Sequence, residues 1–239
     1  MSIRNIVYIV ASPRPRVGKT LVARLLTDFQ RHNGRAVEAF DLNAPDAALS
    51  DYLPGVAEPA SIADVKGQMA LFDRLVTEDD TARVIDLGHT VFEAFFRLAA
   101  EIDFVGETHR RGVAPVILYI GTPDGTSVEA YAALRPLFRN GALVPVTNEI
   151  LGNAQYRTKF PPSGMTAASV HIPVLSPALR RVVERRPFSF AGAEHAAQGL
   201  LPDEQAELRQ YLRRVNLEFR ELELGVLLAD LQSALQAQF

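Results

Sequence analysis

Apolar runs of strand length alternate with segments of helical period from the N-terminus to about residue 187. That alternation predicts βαβ units and a parallel sheet. The first run, Ile6 to Ala11 (IVYIVA), is apolar throughout, as befits a strand covered on both faces. Thr20 to Asn33 then places Leu21, Val22, Leu25, Leu26 and Phe29 on one helical face, with Gly34 positioned to stop it. Ala36 to Asp41 is the second predicted strand, followed by a turn-rich loop, LNAPDAALSDYLPG. Val65, Met69, Phe72 and Val76 mark the face of the next helix.

Arg83 to Leu87 (RVIDL) is a third predicted strand with an acid near its end, and Val91 to Ala100 a Phe-rich helix. Pro115 to Ile120 is the following strand and Ser127 to Phe138 the following helix. Ala142 to Thr147 has strand character, but Pro145 cannot donate to a ladder, which predicts an edge or an irregularity there. Ser169 to Val174 is the last predicted strand, and QYRTKFPPSG (Gln155 to Gly164) reads as a surface loop.

From Asp203 onward the chain reads as helix, with Leu208, Leu212, Val215, Phe219, Leu222 and Val226 on one stripe. The stripe falls short of the roughly three to four heptads a coiled coil requires. The helix is therefore expected to pack on the domain's own sheet, with a dimer or partner helix as the alternative.

The chain has 239 residues, 48% of them apolar, enough to bury the core of one large α/β domain. A single doubly wound domain is expected, with its core over residues 4–188 and a helical C-terminal segment over 203–239. The net charge of -3 argues against constitutive nucleic-acid binding, which draws on clustered Lys and Arg. Absence of cysteine excludes disulfides, thiolate nucleophiles and Cys-type zinc sites. No stretch approaches the length of an apolar membrane span, so a cytoplasmic location without a membrane partner is expected. The five histidines show no metal-ligand spacing, and no G-x-S-x-G motif occurs.

One motif carries chemistry. The pattern G-x-x-x-x-G-K-[ST] maps onto Pro13 to Thr20, with Pro13 in place of the first glycine and Gly18, Lys19 and Thr20 intact. It lies between a predicted strand and a predicted helix, which aims backbone N–H groups at phosphate. Pro13 and Pro15 have no N–H to donate. The amides of Arg16, Val17, Gly18, Lys19, Thr20 and Leu21 remain, so the loop keeps its donors while becoming stiffer. Lys19 would reach the β- and γ-phosphates of ATP, and Thr20 would ligate Mg²⁺.

These residues and those downstream resemble the ParA/MinD group of deviant Walker A ATPases, within the wider class that includes dethiobiotin synthetase and the cobyrinic acid synthases. The resemblance covers roughly residues 4–188 and implies a P-loop NTPase fold. It assigns Arg14 to the signature lysine that reaches a partner subunit's phosphates. In DLNAP, it gives Asp41 a part in holding hydrated Mg²⁺ and puts Asn43 where the family's second acid handles the attacking water. It places Asp86 on Mg²⁺ through water and starts a switch loop at Gly88, with His89 inside it as a solvated or ligand-sensing histidine. VPVTN supplies Asn148 to read the adenine, and HIPVLSP supplies Pro173 to cover the base.

The resemblance further implies ATP and Mg²⁺ as cofactors and a nucleotide-dependent homodimer. That dimer would engage DNA or a DNA-bound adaptor protein in segregation, positioning or conjugative transfer. Arg180, Arg181, Arg185 and Arg186 form a cationic stretch that is either a DNA contact or a solvated helix face. An amide cannot accept a proton as a carboxylate does, so Asn43 predicts slow or absent hydrolysis. Asp46 is close enough to stand in for the missing acid, although a turn-stabilising role suits it better. A pseudo-ATPase scaffold and a metabolic enzyme like dethiobiotin synthetase are the competing expectations.

Overall fold

A computed structural model describes residues 5–43, 48–152, 158–195 and 200–236. The first half comprises β1 (Asn5–Ala11), α1 (Lys19–His32), β2 (Val37–Leu42), α2 (Ala48–Tyr52), β3 (Ala57–Pro59), α3 (Val65–Leu75) and β4 (Ala82–Leu87). The second runs α4 (Phe92–Glu101), α5 (Phe104–Arg110), β5 (Val113–Ile120), α6 (Gly125–Leu137), β6 (Ala142–Asn148), β7 (Ser163–Gly164), β8 (Val170–Ile172), α7 (Pro177–Val183), α8 (Phe190–His195) and α9 (Pro202–Gln236). Eight strands form one sheet in the order β3-β2-β4-β1-β5-β6, with β7 and β8 both on the outer side of β6. Every described pairing is parallel except β6 with β7.

β1 is central, with β4 and β5 as neighbours, and all of its residues are buried. Its alternate side chains feed two separate cores, as the twofold period of a strand requires. Ile6, Tyr8 and Val10 pack with Val22, Leu25 and Phe29 of α1 and with α9. Val7, Ile9 and Ala11 face the other layer, where Phe72 stacks on Phe95 and Phe92 meets Phe96 edge-on. The arrangement is α/β with a mostly parallel sheet covered by helices on both faces. No helix among the described residues is long and apolar enough to cross a membrane.

Several elements depart from the sequence expectation. Val65 and Met69 are 69% and 61% exposed, because α3 packs through Leu71, Phe72 and Leu75 instead. The short helices α2 and α5 and the short strands β3 and β7 carry too little periodicity to be seen in the sequence. Pro145 does not interrupt β6: it pairs in register with Tyr119, and the outer neighbour changes from β7 to β8 around it. The QYRTKFPPSG segment lies partly outside the described residues, and its Phe160 is buried against Tyr119 and Tyr131 rather than solvated.

The C-terminal helix packs on its own sheet. Leu208, Leu212, Val215, Phe219, Leu222 and Val226 are all buried. Glu223 pins it further: its Oε1 accepts from Tyr8 Oη at 2.6 Å, Gln30 Nε2 at 2.7 Å and Arg35 Nη1 at 3.0 Å. Gly225 allows the close crossing, since a Cβ there would lie 2.8 Å from Thr166 Oγ1. Phe219→Ala should therefore cost about 3–5 kcal/mol in urea unfolding. Leu217→Ala, on the exposed face, should stay within about 0.5 kcal/mol. Equal losses would mean that α9 is held through both faces.

Candidate functional site

The chain leaves β1 at Ala11 and turns through Ser12 to Gly18 into α1. Arg16 (φ 58°) and Gly18 (φ 95°) both take left-handed backbone conformations. At Arg16 this costs roughly 1 kcal/mol, strain of the kind that functional loops retain. At Gly18 only glycine fits, because a Cβ would lie 2.4 Å from Asn148 Nδ2. The first bond of the α1 ladder runs from Val22 N–H to Gly18 C=O at 3.1 Å, so the amides of Lys19, Thr20 and Leu21 have no intrahelical acceptor. No side chain caps this end and no acid sits in its first turn. The positive end of the helix is thus available to an anion.

Lys19 is buried and folds back over the loop, its Nζ donating to the Arg14 carbonyl at 2.8 Å. Burial lowers the pKa of the ammonium, and the Asp86 carboxylate opposes that shift. Thr20 Oγ1 donates to Asp86 Oδ2 at 2.6 Å. Asp86 is wholly buried, and its Oδ1 has no hydrogen-bond partner. Desolvation pushes its pKa up to about 6; the Thr20 hydrogen bond opposes this, and the nearby Asp41 charge adds to it.

Parallel pairing sets Asp41 directly beside Asp86. Its carboxylate is nevertheless engaged, Oδ1 accepting from Asn43 N and Oδ2 from Ser50 N, both at 3.0 Å. Asp41 therefore ties its own loop across the strand end. Asn43 Nδ2 approaches the Asp86 carbonyl at 3.4 Å. Asp46 lies outside the described residues.

A cavity of about 680 Å³ opens over this group, lined among others by Arg16, Lys19, Thr20, Asn43, His89 and Arg186. A second, of about 170 Å³, contains Leu21, Arg24, Asn148, Pro173 and Arg180 in its walls. Thr20, Tyr52 and Glu184 line both, so the two adjoin. Their combined size suits a mid-sized organic ligand. Asn148 does more than line the smaller cavity: its Nδ2 donates to the Val17 carbonyl at 2.9 Å and straps the loop to β6.

Arg14 lines neither cavity. Its Nε donates to Asp124 Oδ1 at 3.0 Å and its Nη2 contacts the same oxygen. Asp124 is itself fixed as the cap of α6, accepting from Ser127 N at 3.2 Å and from Thr122 Oγ1 at 2.6 Å. The Arg14 guanidinium, with the Thr122 hydroxyl, holds the Asp124 carboxyl well below the usual carboxylate range.

Two residues that the sequence did not mark, Tyr52 and Arg24, complete the walls. Tyr52, at the end of α2, lies under two guanidinium groups, with Arg24 3.6 Å and Arg186 4.8 Å from its ring centre. Arg24 is buried and donates from Nη2 to the Val183 and Phe188 carbonyls at 2.8 and 3.2 Å. The cationic stretch of 180–186 is divided: Arg180 and Arg186 line the cavities, whereas Arg181 and Arg185 are exposed elsewhere. Nothing local in the sequence links Arg24, Tyr52 and Arg186, which converge only through the fold.

No protein-family model matches the chain, and a search of curated proteins found no match.

The pKa of Asp86 yields a signed test. A carboxyl raised from 3.8 to about 6 stabilises the folded state at low pH, and that contribution is lost as pH rises through about 4 to 6. The loss corresponds to about 3 kcal/mol. Unfolding of the ligand-free wild type should therefore weaken relative to Asp86→Asn across that window. Parallel pH profiles for the two proteins would contradict the burial of an ionisable Asp86.

Proposed function

We propose that this chain is a P-loop nucleotide switch of the ParA/MinD type, binding ATP with Mg²⁺ over the Gly18-Lys19-Thr20 turn and hydrolysing it slowly. The observation that carries the reading is Asp86 Oδ1, a buried and unpartnered carboxylate oxygen beside the Thr20 hydroxyl, under an uncapped helix N-terminus. A carboxylate in that state calls for a cation or a metal-bound water. Among the described residues no cluster of three or more metal-binding side chains occurs. That suits Mg²⁺, which is commonly held by one or two protein groups together with the substrate's phosphates.

In this reading the loop amides and Lys19 bind the phosphates. Thr20 and Asp86 hold the metal side, while Asp41 keeps the neighbouring loop in place. Bound Mg²⁺ would neutralise charge on the phosphate oxygens. The base would enter the smaller cavity, beside Asn148 and Pro173. Asn43 faces the larger cavity and can orient water by hydrogen bonding without accepting its proton. The ATP-bound form would favour a homodimer that engages DNA or a DNA-bound adaptor in segregation, positioning or conjugative transfer. Asn43 also favours the second reading, a nucleotide-holding scaffold with no turnover.

Calorimetric titration with ATP and Mg²⁺ tests the first step. The wild type should bind, and Lys19→Ala should weaken binding by ~10-fold or more, as loss of a charged hydrogen bond implies. Equal, weak heats from both proteins would end the nucleotide reading. Asn43→Asp should raise the steady-state hydrolysis rate by ~10-fold or more if a missing proton acceptor limits it. An unchanged rate would point to the scaffold.

A further inference from the structure

The larger cavity collects positive charge from three separate parts of the chain. Arg16 comes from the strained turn, Lys19 from the start of α1, and Arg186 from beyond α7. Among the described residues of the same lining, Glu184 is the one carboxylate-bearing side chain and His89 the one imidazole. Arg14, the residue at the position of a trans-acting lysine, is turned away and occupied by Asp124. We infer that Arg16 and Arg186 clamp the ligand's terminal phosphates from within one chain, and that Arg14 contributes nothing to that binding.

The inference rests on the nucleotide reading and specifies how that site neutralises charge. Arg186 is suited to the task by the way it is held. Its guanidinium carbon lies over the Tyr52 ring, and its ion pair, Nη1 to Asp51 Oδ2 at 2.8 Å, is solvent-exposed on both sides. Exposed pairs of this kind are weak, so the guanidinium can exchange Asp51 for a phosphate at little loss. Arginine also offers two parallel donors to phosphate oxygens, which a lysine cannot. Arg16 has no ion-pair partner among the described residues, and its left-handed backbone places it at the cavity rim. The Asp124 that holds Arg14, by contrast, is fixed by Thr122 and Ser127, so its geometry does not yield as Asp51 can.

The test compares Arg14→Gln, Arg16→Gln, Arg186→Gln and Arg186→Lys in calorimetric titrations with ATP and Mg²⁺, with ADP as a second ligand. Arg16→Gln and Arg186→Gln should each weaken ATP binding about tenfold and ADP binding less. Arg186→Lys should recover only part of the loss, and Arg14→Gln should match the wild type. If the wild type binds ATP but Arg16→Gln and Arg186→Gln bind equally well, the clamp is wrong and the nucleotide reading stands. A loss in Arg14→Gln as large as that in Arg186→Gln likewise overturns it. If the wild type itself takes up no ATP, the nucleotide reading fails first and the clamp falls with it. Thermal melts of each variant separate lost affinity from lost folding, and all three substituted positions are wholly or partly solvent-exposed.

Discussion

Asp86 imposes the constraint around which the site is arranged. It is a carboxylate with no access to water at the end of β4, flanked by β1 and β2. One oxygen takes the Thr20 hydroxyl, and the other has no partner. Burying such a group without full compensation is costly. The hydrogen bond from Thr20 ties that cost to the start of α1, so the helix N-terminus and the acid form a single unit. The nearby ammonium of Lys19, itself discouraged from charging by burial, completes a site in which three polar groups are individually frustrated. An anion with a cation would relieve all three at once.

The loop preserves this arrangement by stiffness. Two prolines limit the backbone before Arg16, and a left-handed turn at Arg16 and Gly18 delivers the chain into the helix. Asn148 then straps the Val17 carbonyl from β6, so close that no side chain fits at Gly18. Glycines in the first half of such a loop supply flexibility; here position is secured from outside, through β6 and α6. The same economy sends Arg14 to Asp124 and leaves the cavity's charge to Arg16, Lys19 and Arg186.

The central strands β1 and β5 were legible in the sequence because they are covered on both faces and so are apolar without interruption, as in IVYIVA and PVILYI. The face of α9 was legible because its period is sustained over more than four turns. α3 was misread at Val65 and Met69 because a short helix leaves the stripe's phase underdetermined, and burial favoured Leu71 and Leu75. GKT announced the loop, since its spacing is local. Asn148 and Asp41 were found as well; the structural ties they make, one strapping the loop and the other tying a turn, depend on long-range contacts and were not legible. Tyr52 and Arg24 could not be found, and Arg186 was marked only within a cationic stretch, because the three lie apart in sequence and are brought together by packing.

In the proposed function, Thr20 and Asp86, at an open helix N-terminus, receive a nucleotide's phosphates and their metal. A crystal structure grown with a non-hydrolysable ATP analogue and Mg²⁺ tests it most directly. Phosphates should lie on the amides following Arg16, the metal on the Thr20 side facing Asp86 Oδ1, and the base against Pro173. Density for the analogue anywhere else, or a ligand-free loop at saturating concentration, would contradict it.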